Sequence, residues 1–212
     1  MLQIWGRLSS INVRKVVWCA QELKLEFQRR DAGGKYGGLH TPEYLARNPN
    51  ALIPVIDDDD FDPLVLWESN VIVRYLCAKY STGELYPEPL KSRFDAERWM
   101  DWQQTTLNRA SAQAFVQLVR TPHAQRNPDL IRESVNSTEP LLALLDSHLA
   151  ERPFMCGARF TMADIPLGCE AHRWFGLPSS DYKRPRWPHL ERWFAALRDR
   201  PGARGVLDLK LE

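Results

Sequence analysis

The chain is poor in the residues that would commit it to a metal, a disulfide frame or a charged polymer. Four cysteines, Cys19, Cys77, Cys156 and Cys169, are scattered over 212 residues. They form no C-x-x-C pair and no metal-ligand spacing. Cys19, Cys77 and Cys169 fall inside helical patterns and read as reduced packing residues. His123, His148, His172 and His189 show no i, i+4 pair, which leaves a zinc site or a catalytic triad unsupported. Charge of one sign is also missing: 28 basic against 27 acidic residues give a net +1, so the chain lacks the footprint of a nucleic-acid or anionic-membrane binder. The acidic run Asp57 to Asp60 lacks the alternating ligand spacing of a calcium loop and reads as a solvated turn. No apolar run approaches a membrane span, and MLQIWGRLSS has no apolar signal-peptide core. The expectation is a cytoplasmic protein.

The stretch NPNALIPVIDDDDFDPLVLWESN, Asn48 to Asn70, carries the most information. Two short apolar pieces, IPVI and LVLW, flank the acidic run, and Trp67-Glu68-Ser69 opens the amphipathic SNVIVRYLCAKY. This predicts a β-hairpin running straight into a helix. Proline is tolerated at a strand's first residue, where it has no ladder donor to lose. A cis Ile53-Pro54 bond would leave the main chain of Ile53 free to pair with an extended ligand. Ser69 is expected at the helix N-cap, where free N–H groups and the positive dipole end suit a carboxylate. Glu68 beside it offers a charge for an ammonium. Singly, an X-Pro is a turn and a serine before a helix is a cap. Together they suit the zwitterionic end of a small peptide.

Upstream, LQIWG alternates as a strand. Arg7-Leu8-Ser9-Ser10 and Asn12 lead into VRKVVWCAQELKL, whose Val13, Val16, Val17, Ala20 and Leu23 share one helical face. A strand in EFQRRD, the glycine-rich GGKYGG and a short helix across PEYLAR follow. The predicted order is β-α-β-α-β-β-α, ending near Tyr80. The hydroxyls of Ser9 and Ser10 lie at the first strand–helix junction, where a helix N-terminus favours an anion such as a thiolate.

Gly83, Pro87 and Pro89 then interrupt periodicity, and the rest is helical. Two long patterns, KSRFDAERWMDWQQTTLNRASAQAFVQLVR and DLIRESVNSTEPLLALLDSHLAER, precede a last one in PHLERWFAALRDR. Thr161 and Asp164 form a capping-box pair with Phe160 and Ile165 as a staple, and Pro166 is expected to bend that helix or free a carbonyl. This feature is structural. Trp99, Trp102, Thr106 and Arg109 recur at helical spacing.

With Ser10 and Arg14 in Ser-x-x-x-Arg, NPNALIPVI, WESNVIVRYL and FTMADIPLG in this order, the chain resembles the glutathione transferase family, near serine-type bacterial members of the theta, beta and nu classes. The likeness covers essentially the whole chain. It implies an α/β thioredoxin-like N-terminal domain over 1–80, a linker over 81–88 and an all-α C-terminal domain over 89–212. It implies catalysis by Ser10, which donates a hydrogen bond to the glutathione thiolate, with Asn12 as a second donor; Ser9 remains the alternative to Ser10. It implies that Leu52 and Ile53 meet the cysteinyl unit through the main chain of Ile53, and that Glu68 and Ser69 hold the γ-glutamyl end. Trp102, Gln103, Thr106 and Arg109 are candidates for the electrophile side. Leu52 replaces the lysine that many relatives carry before the proline dipeptide, and Leu39-His40 stand where nu-like relatives have glutamine. Lys35 and His40 are the substitutes at hand for the glycyl side. No metal and no cofactor is implied, glutathione being the co-substrate. The expected partners are glutathione, a small electrophile, hydroperoxide or disulfide, and a second copy in a homodimer. The competing expectation is a non-catalytic module of the same fold.

Overall fold

The computed structural model describes residues 1–60, 62–178 and 180–212. Its first part runs β1 (Leu2–Trp5), α1 (Ile11–Glu22), β2 (Phe27–Arg30), a short turn of helix over Gly34–Tyr36, α2 (Pro42–Leu45), β3 (Val55–Asp58), β4 (Leu64–Trp67) and α3 (Ser69–Tyr80). The four strands form one sheet in the order β2-β1-β3-β4, with β1 parallel to β2 and antiparallel pairing elsewhere. This is the thioredoxin-like arrangement expected from the sequence.

Helix α1 is buried on more than one side. Every residue from Val13 to Ala20 is buried, although the sequence shows an apolar stripe on one face only. Its apolar face joins α3 and the sheet in the main core, and Trp18, fully buried, reaches toward the helical part. The close approach depends on Gly168: a Cβ there would lie 2.7 Å from the Trp18 ring and from Leu197. The other face of the sheet carries a small cluster of Ala32, Tyr44 and Val55, with Trp5, Leu39 and Ile53 packed around it.

From Leu90 to Arg120 the chain forms one helix without a break in helical backbone. It consists of α4 (Leu90–Trp102), a π-turn over Gln103–Leu107, α5 (Asn108–Phe115) and a second π-turn over Val116–Arg120. Such widened turns are rare and gather at functional sites, and the hydrophobic pattern gave no sign of them. Then follow α6 (Pro128–His148), α7 (Asp164–Phe175) and α8 (Pro188–Arg198).

The Thr161–Asp164 hydrogen bonds form, although the N-cap of α7 is Ala163, two residues later than the expected Thr161, and Asp164 is the first helical residue. The Asp164 carboxylate accepts the Thr161 N–H at 2.9 Å, and the Thr161 hydroxyl accepts the Ala163 N–H at 3.4 Å. Asp164 also accepts from the Met155 N–H at 2.9 Å and from Trp193 Nε1 at 2.8 Å. Pro166 falls in the first turn of α7. There a missing N–H removes no intrahelical hydrogen bond, since first-turn N–H groups have no partner within the helix.

Candidate active site

The register of the sheet sets the geometry. Trp5 pairs with Val55, and Val55 with Trp67, so the ends of β1 and β4 and the start of β3 lie side by side. The three segments leaving that edge are Gly6–Ser10, Ile53-Pro54 and Glu68-Ser69. Gly6 is needed at the first of them: its φ is +138°, and a Cβ would meet Val13 Cγ2 at 2.5 Å. The chain can then double back and start α1 beside the strand end.

Ser10 is the N-cap of α1, in extended conformation at φ −81°, ψ 126°, yet its side chain makes no capping hydrogen bond. Its hydroxyl is therefore free to donate outward, next to the first N–H groups of the helix. Ser9 differs. Its hydroxyl accepts from Arg7 Nη1 at 2.6 Å. Asn12 follows on the first turn, with Oδ1 buried and unpartnered.

The Ile53-Pro54 bond is cis, and neither the N–H nor the C=O of Ile53 pairs within the chain. The neighbouring Leu52 is placed differently from the expectation. Its carbonyl is already taken by Tyr44 OH at 2.8 Å and Asn48 Nδ2 at 2.9 Å, and its side chain is 61% exposed. Leu52 thus holds the loop that presents Ile53.

The N-cap of α3 is Glu68, one residue earlier than expected, and Ser69 is the first helical residue. Glu68 adopts φ 73°, ψ 107°, an unfavourable region for a residue with a Cβ. This conformation leaves its carboxylate exposed and unpaired while Ser69 is buried at the helix start. A local strain tied to a free charge is typical of ligand sites.

Gln103 is turned away from any electrophile. It is fully buried, its Oε1 accepting from Lys15 Nζ at 2.8 Å and its Nε2 donating to Glu170 at 2.8 Å. Lys15 also donates to Gln104 at 3.0 Å, and Glu170 accepts from Ser111 at 2.6 Å and Arg173 at 2.5 Å. This network ties α1 to the π-turn, α5 and α7. Burial pushes the Lys15 ammonium down to about 8 despite the Glu170 charge. Trp102 stands edge-on to Trp99 at 5.4 Å, against the core.

The wall facing Ser10 is built further along the long helix. A cavity of about 230 Å³ is lined by Ser10 and Ile11, by Ala112, Phe115, Val116 and Arg120, and by Arg173 and Leu211. Trp102, Thr106 and Arg109 are not among its lining residues. An adjoining space of about 640 Å³ shares Arg7, Ser9, Arg14, Arg120 and Glu212 with it and extends to Lys35. Sequence reasoning missed Arg7, Phe115, Arg120 and Arg173; only the position of Arg7 beside Ser9-Ser10 could have pointed to one of them. His172, set aside for want of a metal pattern, receives a hydrogen bond from Arg14 Nη1 on Nδ1 at 2.9 Å, and its Nε2 contacts the Leu209 carbonyl at 2.8 Å. Burial, and next the Arg14 charge, hold it down at about 4, so it is a neutral clamp that fixes Arg14 and the final segment.

A thioredoxin-like sheet whose strand ends present a helix-capping serine, an unpaired main chain at a cis-proline and a strained acidic residue, joined to an all-helical part, defines the architecture of the cytosolic glutathione transferases. The glutathione S-transferase N-terminal domain matches residues 9–79, and the corresponding C-terminal domain matches residues 128–196. Glutathione S-transferase GstB of Escherichia coli (strain K12) is 39% identical over 207 residues, covering 98% of each chain. The theta class glutathione S-transferase of the citrus canker pathogen Xanthomonas axonopodis pv. citri, solved with glutathione bound, superposes with a TM-score of 0.93 at 42% identity over 100% of this chain and 99% of that one. Elongation factor 1-gamma 1 of Oryza sativa subsp. japonica is 27% identical over 168 residues, which cover 79% of this chain and 39% of that protein. The chain belongs to the glutathione S-transferase family.

Proposed function

We propose that this protein is a glutathione transferase that binds glutathione along the aligned strand ends and presents its thiolate to a small electrophile, hydroperoxide or disulfide. The observation that carries the reading is the placement of Ser10, the N-cap of α1 with its hydroxyl unbonded beside the first free N–H groups of the helix; Ser9 accepts from Arg7 and keeps its own O–H to donate. Ser10 is not a base. It donates to sulfur and, with the α1 N-terminus and Asn12, favours the thiolate over the thiol. A charge-assisted hydrogen bond is worth ~1.5–3 kcal/mol, or roughly one to two units in the thiol's pKa. The sulfur then attacks the electrophilic centre, a sulfur–substrate bond forms, the leaving group departs with the electron pair of the broken bond, and the thiol proton has gone to solvent.

In this reading Ile53 pairs with the cysteinyl main chain, Glu68 takes the α-ammonium and Ser69 the α-carboxylate of the γ-glutamyl end. Residues 1–80 form the glutathione domain, 81–88 the linker and 89–212 the helical domain. The site is cytoplasmic, where glutathione is plentiful. A homodimer accounts for the exposed apolar side chains of Val65, Trp67, Val71, Leu90 and Phe94 on β4, α3 and α4; light scattering that returns a monomer at micromolar concentration would count against it.

The test is the pH dependence of bound-thiolate absorbance in the native protein, Ser10→Ala and Ser9→Ala, alongside conjugation and peroxidase assays. The expected outcome is an upward shift of the titration in Ser10→Ala and little change in Ser9→Ala. If neither variant moves it, and glutathione is bound without turnover, the second reading of a non-catalytic binding module gains; the exposed Leu52 side chain, with no charge for glutathione, is what favours that reading.

A further inference from the structure

Several arginines gather around the Ser10 cavity and the space beside it. Two of them are neutralised, Arg29 by Asp31 and Arg173 by Glu170. Among the described residues Arg7, Arg14 and Arg120 form no ion pair with a side-chain carboxylate. Arg7 donates to the Ser9 hydroxyl, Arg14 to the carbonyls of Leu8 and Lys210 and to His172, and Arg120 to the main-chain oxygen of Glu212 at 3.1 Å. At this wall Arg7 Nε and Arg173 Nε are buried without a hydrogen-bond partner. The charges also oppose one another. The Arg120 guanidinium is destabilised first by burial and then by Arg7 and Arg173.

This is a local excess, since the whole chain is almost neutral. Arg7, Arg14, Arg29, Lys35, Arg120 and Lys210 line the larger space against two carboxylates, Asp31 and Glu212. Asp31 is already engaged by Arg29, which leaves Glu212 as the one acidic side chain without an ion pair. Arg7 is half-buried and Arg120 exposed at this wall, and their forked guanidinium donors match a carboxylate or similar oxyanion. The smaller cavity adds an apolar side from Phe115, Val116 and Leu211, with Ser10 on its floor. The site therefore offers a reacting position, an apolar body and a cationic end.

We propose that the second substrate is an anionic organic electrophile, with an apolar or aromatic body against Phe115 and Val116 and a carboxylate or equivalent oxyanion on Arg7 and Arg120. This rests on the thiolate reading above and names the substrate class for it. For an aryl halide bearing a carboxylate, the sulfur lone pair forms the carbon–sulfur bond, the carbon–halogen bond breaks with its electrons leaving as halide, and the arginines hold the carboxylate throughout without taking part in bond exchange.

The test compares two electrophiles of nearly equal shape, 4-chloro-3-nitrobenzoate and 4-chloro-3-nitrobenzamide, each corrected for its uncatalysed rate. It also compares calorimetric binding of their glutathione conjugates, which requires no turnover. The native protein should prefer the acid over the amide at least tenfold, in kcat/KM and in conjugate affinity. In Arg120→Gln and in Arg7→Gln the acid-to-amide ratio should fall toward one, and Arg120→Lys should restore part of it. Equal binding of both conjugates by the native protein would overturn the proposal while leaving the thiolate reading intact. A loss of affinity for glutathione itself, equal to that for the acid conjugate in Arg120→Gln, would overturn it too, by assigning the cluster to glutathione's own carboxylate. Arginine-dependent preference for the acid conjugate without turnover would support the anion site and refute catalysis. Binding of neither conjugate would refute both.

Discussion

Removing the Asp164 carboxylate should cost more stability than any other single truncation at the start of α7, and its cost should depend on pH in a defined direction. Asp164 is fully buried, with one oxygen accepting from Met155 N–H and Trp193 Nε1 and the other from the Thr161 N–H and hydroxyl. Asp164→Ala leaves three buried N–H donors without an acceptor. At ~1–3 kcal/mol per orphaned group, less what relaxation recovers, the loss should be ~3–5 kcal/mol. Asp164→Asn keeps one acceptor oxygen for Met155 and Trp193 but points an amide N–H₂ at the Thr161 N–H, and should cost ~1–3 kcal/mol. Burial raises this carboxyl from 3.8 to about 6 against the hydrogen bonds that lower it. The folded protein therefore binds more protons than the unfolded chain between those values. Stability from this group is full below pH 3.8 and is lost as pH rises through about 6, by ~3 kcal/mol over two units. Urea unfolding at a fixed protein concentration, from pH 4 to 7.5, reads both effects. The native-minus-Asn difference should fall by that amount across the window. A cost below ~1 kcal/mol for Asp164→Ala at pH 4, or a flat native-minus-Asn difference, would refute the assignment of Asp164 as the shared acceptor.

Glu68→Ala should leave the fold intact and weaken glutathione binding by ~1.5–3 kcal/mol; unchanged affinity by calorimetry would remove Glu68 from the site. Lys15, held down at about 8 against 10.5, loses its proton sooner in the folded state, so stability should rise with pH between those values. That rise should vanish in Lys15→Met, and its persistence in urea midpoints would mean another group carries it. Gly168→Ala forces a Cβ to 2.7 Å from Trp18 and Leu197 and should cost ~1–3 kcal/mol by overpacking; a melting temperature equal to the native one would show that α1 and α7 can part without penalty.

The order of strands and helices up to Tyr80, the proline dipeptide, the serines before α1 and the Thr161–Asp164 pair were legible in the sequence, because each rests on neighbours within a few residues. Alternation, helical periodicity, capping and turn chemistry are local physics, and the chain writes them in contiguous stretches. What the tertiary structure decided is who meets whom across long separations. Gln103 sits on a polar stretch that reads as a cleft face, yet Lys15, 88 residues earlier, and Glu170, 67 residues later, draw it fully inside. Ser9 and Ser10 are indistinguishable by type and spacing; the fold makes Ser10 the N-cap of α1 and gives the Ser9 oxygen a donor from Arg7. The widened turns of the long helix depend on its packing and leave no mark in hydrophobic pattern. The convergence of Arg7, Arg120 and Arg173 was invisible for the same reason. Each arginine alone resembles an ordinary solvated charge, and only the fold brings them together at one wall, where Arg173 has Glu170 as its partner and, among the described residues, Arg7 pairs with no side-chain carboxylate.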